Sequence, residues 1–111
     1  MGFQKICTLD DIWEGEMESF TVDGQEILVV CAEGGAIKAV QGICPHQDIP
    51  LVEGKFDGEK LICRAHLWQF DAVTGKGINP SDCALAEYQV RVDGDDVLVE
   101  TEGVAALFAH T

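Results

Sequence analysis

A chain of 111 residues with 47% hydrophobic composition can build one domain around one modest core and leaves no room for a second. Seven Lys and Arg stand against twenty Asp and Glu, a formal net charge of -13, so nucleic acid phosphates and anionic membrane surfaces are repelled and neutral or basic partners are expected. No run of about eighteen apolar residues occurs, and the start Met1-Gly2-Phe3-Gln4-Lys5 lacks an apolar leader, which predicts a cytoplasmic protein that neither crosses a membrane nor binds nucleic acid.

Taken in chain order, the first predicted element is Thr8-Leu9-Asp10-Asp11-Ile12-Trp13, a helical stub. A Thr cap and two carboxylates lie near its positive end, and Gly15 stops it within about a turn. Trp13, at the end of this amphipathic stub, is expected in the core. Segments 26–32, 37–41, 60–63, 88–92 and 96–100 each read as strands, with the turn pairs Asp23-Gly24, Gly34-Gly35, Asp57-Gly58 and Asp93-Gly94 among them. In the last hairpin Tyr88, Val90 and Val92 alternate with Gln89 and Arg91, and Val97 and Val99 with polar neighbours, which predicts one buried and one wet face. The apolar run 104–109 is expected to fold back on the domain. Many short strands in a small chain predict an all-β fold, a sandwich or a partly open barrel.

Among three His and five Cys, two of each are paired: Cys44-Pro45-His46, sixteen residues, then Cys63-Arg64-Ala65-His66. Each half brings one thiolate and one imidazole within reach of a single metal centre from one tight loop. A lone Cys or His is most simply a core residue, but four in this arrangement make a metal site. Zinc is the competing metal, because two Cys and two His complete a tetrahedral site and would make the chain a zinc-stabilised binding module. Zinc fingers, however, pair Cys with Cys and His with His. One Cys and one His in each half suits two metals with unlike ligands, as in a Rieske 2Fe-2S cluster, where His replaces Cys on one iron.

On Cys44-Pro45-His46-Gln47, Cys63-Arg64-Ala65-His66-Leu67-Trp68, Thr74-Gly75-Lys76-Gly77-Ile78-Asn79-Pro80 and Leu85-Ala86-Glu87-Tyr88, the sequence resembles the Rieske ferredoxins, in particular those of multicomponent toluene or toluene/o-xylene monooxygenases. The likeness runs from Lys5-Ile6-Cys7 to the Gly94-Asp95-Asp96 turn. It implies one Rieske domain over residues 1–111, an antiparallel β-sandwich base with a smaller cluster-binding subdomain inserted at roughly 42–78. It implies one 2Fe-2S cluster per chain, with Cys44 and Cys63 on the inner iron, His46 and His66 on the outer, and Pro80 in a third, covering loop. It further implies a monomeric one-electron carrier, not an enzyme, between an NADH-dependent flavin/iron-sulfur reductase and a di-iron hydroxylase. A ferredoxin of a Rieske ring-hydroxylating dioxygenase, or a nitrite reductase small subunit, is the alternative within the class.

Two thiolates with two neutral imidazoles leave the oxidised centre uncharged, whereas four thiolates leave it doubly negative. Rieske centres accordingly lie at about -150 to +300 mV against roughly -400 mV for plant-type ferredoxins. High-potential members have Ser and Tyr two and four residues after the second His and a disulfide between the loops. Trp68, Phe70, Ile49 and Ala65 stand there instead, which predicts a midpoint in the lower part of that range. Cys7, Cys31 and Cys83 are expected to be buried or idle thiols, and His110 an exposed imidazole. Gln47 and Trp68 adjoin ligands and read equally well as docking residues or loop filler. With no dinucleotide fingerprint and no second set of His and carboxylates for a catalytic iron, the chain is expected neither to oxidise NADH nor to activate oxygen.

Overall fold

The computed structural model describes residues 3–22, 24–32, 34–44, 49–64, 68–72, 74–79, 84–101 and 104. Among them ten strands form two antiparallel sheets. The larger contains β1 (Gln4–Thr8), β2 (Met17–Val22), β3 (Gln25–Cys31), β4 (Ile37–Gln41), β9 (Glu87–Asp93) and β10 (Asp96–Glu100), in the order β1-β10-β9-β4-β3-β2. The smaller contains β5 (Lys55–Phe56), β6 (Lys60–Ile62), β7 (Gln69–Asp71) and β8 (Gly77–Asn79) in sequence order, and is inserted between β4 and β9. The fold is all-β, as the strand and turn pattern predicts.

The run Ile27 to Cys31 is continuously apolar because β3 is buried on both faces. Ile27, Val29 and Cys31 meet Ala39, Tyr88 and Val99 inside the large sheet, with Ile6 of β1 and Phe20 of β2 packed on the same cluster. The two ends of the sheet therefore curl over one core. Leu28 and Val30, on the opposite face, join Val40, Leu51, Leu61 and Phe70 in a second core that holds the small sheet against the large one. In the β9–β10 hairpin Val97 and Val99 are fully buried, but burial fades toward the turn, where Val92 is 45% exposed. Val104 packs against the first core, and residues 105–111 of the expected tail lie outside the described residues.

The helical stub is one 3-10 turn, Leu9–Asp11, where the Thr8 backbone N–H donates to Asp11 Oδ2 at 2.9 Å. Trp13 corrects its expectation: it is 67% exposed, while Ile12 is 2% exposed. The chain is extended at Ile12 (φ -144, ψ 122), so Ile12 takes the inward position and its successor faces out. There the Trp13 indole Nε1 donates to Asp10 O at 3.0 Å.

Candidate metal centre

Cys44 and Cys63 each stand at the head of a loop, and the two loops close in the same way. The Cys44 N–H donates to Ile49 O (2.9 Å) and the Cys63 N–H to Trp68 O (2.8 Å), five residues on in both cases. Outside each closure lies one antiparallel pair, Ile43 with Pro50 and Ile62 with Gln69. Each cysteine thus opens a hairpin loop of the same size, and both are fully buried in one apolar cluster with Leu51, Leu61, Phe70 and Leu85. Trp68 packs half-buried on that cluster with its ring 6.5 Å from Phe70.

His46 and His66 lie within the two loops by sequence and outside the described residues; Gln47, Pro80, Cys83 and His110 are likewise outside the described residues. Among the described residues no three His, Cys, Asp or Glu side chains converge; of the expected set, Cys44 and Cys63 are placed in one buried cluster. These donors fit an iron-sulfur centre. Thiolate is the ligand such centres use, and an apolar wall around it excludes water and lowers the local dielectric.

The other described cysteines sit in a different environment. Cys7 and Cys31 are buried within the large sheet, where burial first, and then Asp11 and Glu18 beside Cys7 and Glu14 and Glu16 beside Cys31, push both thiols up. Both are buried thiols, as expected, and the upward push disfavours the thiolate.

Three features near the loops carry no signal in the sequence. Gln41, the last residue of β4 and 1% exposed, donates from Nε2 to Ile43 O (2.7 Å) and accepts at Oε1 from the Ala86 N–H (2.8 Å). Arg64, next to Cys63, donates from Nε to Glu53 Oε1 at 2.7 Å, an exposed ion pair between the second loop and the 3-10 turn Leu51–Glu53 that follows the first. Gly54 passes so close to the strand entering the second loop that a Cβ there would lie 2.0 Å from Ile62 O.

Residues 2–102 match the Rieske [2Fe-2S] domain. The ferredoxin component of the alkene monooxygenase system of Xanthobacter autotrophicus (strain ATCC BAA-1158 / Py2) is 48% identical over 99 residues, 87% of this chain and 80% of that protein. The ferredoxin component of biphenyl 2,3-dioxygenase from Rhodococcus jostii (strain RHA1) is 38% identical over 104 residues, 93% and 96% of the two chains. Among solved structures, the ferredoxin of carbazole 1,9a-dioxygenase from Nocardioides aromaticivorans IC177 superposes with a TM-score of 0.80 at 32% identity, covering 89% of this chain and 97% of that one. The matched length, the two like cysteine loops and the inserted small sheet agree: this chain belongs to the Rieske 2Fe-2S family, as an electron-carrying ferredoxin.

Proposed function

We propose that Cys44, His46, Cys63 and His66 hold the cluster, the cysteines on the inner iron and the histidines on the outer. The observation that carries this is the repeated loop, with a buried cysteine at its head, a backbone closure five residues on and one histidine between. The cluster supplies one-electron storage. The protein's part is to keep two thiolates in an apolar, water-excluding wall. Residues 42–78, which include most of the small sheet, are proposed as the cluster-binding subdomain of a single domain spanning 1–111.

The carrier is proposed to take electrons from an NADH-dependent flavin/iron-sulfur reductase and to deliver them in the cytoplasm to a di-iron hydroxylase of the toluene/o-xylene monooxygenase kind, acting as a monomer and not as an enzyme. The 48% identity to a monooxygenase ferredoxin supports this above the second reading, delivery to a ring-hydroxylating dioxygenase, which the 38% identity to the biphenyl system supports. Absorption and EPR spectra of the purified protein before and after dithionite test the ligand set. A red-brown protein that gains a rhombic signal with average g below 2, lost in Cys44→Ser and in His66→Ala, is the expected result; a colourless protein with one zinc overturns it. Reconstitution with the reductase and each purified oxygenase tests the partner, with turnover expected on the monooxygenase and turnover on a dioxygenase alone deciding for the second reading.

A further inference from the structure

The inserted segment leaves the large sheet at Gln41 and returns at Ala86, and one residue joins these two points. The Gln41 backbone N–H donates to Ala86 O (2.9 Å) while its side-chain Oε1 accepts from the Ala86 N–H, so both polar groups of the Ala86 backbone are met by Gln41, 45 residues away. Its Nε2 reaches the other way, to Ile43 O. That carbonyl belongs to the same peptide unit as the Cys44 N–H, which donates to Ile49 O. A continuous chain of hydrogen bonds thus runs from the re-entry point of the insertion, through one buried amide, into the peptide that carries Cys44 and on to the closure of its loop.

Amide-to-peptide chains of this kind polarise each link and are strongest away from water. Gln41 is 1% exposed. The backbone at this neck is also close-packed: a Cβ on Gly42 would lie 2.7 Å from Glu26 Cγ and 3.0 Å from its carbonyl. The peptide linking Ile43 to Cys44 therefore has little freedom to take up an alternative orientation without breaking its bond to Gln41.

We propose that Gln41 is a positioning residue for the cluster: its amide fixes the orientation of the Ile43–Cys44 peptide, and so of the first thiolate, relative to the large sheet. This rests on the reading of Cys44 as a ligand. An amide is suited to the task because it offers a donor toward Ile43 O and an acceptor toward the Ala86 N–H at once. A carboxylate keeps only the acceptor, and an aliphatic chain neither.

The test uses the purified holoprotein and its Gln41→Leu and Gln41→Met variants, read by the EPR g values of the reduced form and by the voltammetric midpoint. Both variants are uncharged and lose the donor to Ile43 O, so both are expected to show shifted, broadened g values and a shifted midpoint; Gln41→Met, which matches the amide in length, is the informative variant if Gln41→Leu does not fold. Wild-type g values and midpoint in either folded variant, with only a lower melting temperature, would overturn the proposal and reduce Gln41 to filling the neck. Cys44→Ser in the same series separates the premise: if that variant keeps the wild-type signal, the ligand assignment has failed rather than the role of Gln41.

Discussion

Replacing His66 with Cys exchanges a neutral donor for an anionic one, and its effect on potential depends on whether residue 66 is a ligand. His66→Cys is expected to lower the midpoint out of the span of about -150 to +300 mV typical of mixed ligation, toward the roughly -400 mV of all-cysteine centres. Direct voltammetry of the two proteins checks this, and an unchanged midpoint removes His66 from the ligand set. The proposed ligands are legible in the sequence because their signal is chemical: few residue types bind iron, and each half pairs one Cys with one His two or three positions on. Gln41 is illegible for the converse reason. Its role comes from joining residues 43 and 86, which only the fold brings within reach of one amide. Trp13 shows a third case, in which hydrophobicity alone misleads. At the end of a single 3-10 turn, one position decides which residue faces inward, and Ile12 takes that position.

Contact between elements, more than the elements themselves, sets the relation of the two cysteine loops. Gly54 ends the turn after the first loop and lies against Ile62, which enters the second, with room only for a hydrogen where a Cβ would stand. Gly54→Ala is therefore expected to force the two segments apart at a cost of about 2–3 kcal/mol. Thermal or urea denaturation of the holoprotein measures it, and a stability equal to wild type would show that the approach relaxes freely. The Arg64–Glu53 pair bridges the same segments from outside but is exposed, so its removal should change stability by less than about 1 kcal/mol. Strands are legible where a run is long: β3, β4, β9 and β10 each lie within two residues of the expected bounds, and the three-residue β6 is legible through the Asp57-Gly58 turn before it. β5, β7 and β8 contain two or three residues, too few to show a period. In β1 a bulge between Lys5 and Cys7 breaks the alternation, so adjacent Ile6 and Cys7 both pack inward. In β2 Met17 packs on the second core while Phe20 and Val22 pack on the first, and the strand reads as irregular.

Across the whole molecule the charge is unevenly shared. Residues 42–78 contain Lys55, Lys60, Arg64 and Lys76 against Asp48, Glu53, Asp57, Glu59 and Asp71, a net of -1, which leaves -12 for the remaining chain. The acidic surplus thus belongs to the large sheet and its loops, and the segment with the cysteine loops can meet a partner without desolvating a dense field of like charges. Turnover limited by encounter with a basic partner is expected to fall as ionic strength rises and the screening length shortens to about 8 Å at physiological salt. A rate independent of salt would leave the charge a role in solubility alone. The double burial of β3 has a consequence for how the chain comes apart. Since Leu28 and Val30 belong to one core and Ile27 and Val29 to the other, neither can melt while its neighbour stays intact. The amides of β3 should be the last to exchange with deuterated solvent. Loss of either sheet should take the other with it in a single transition, and a fragment cut at residues 42 and 78 should have no wall of its own to fold against.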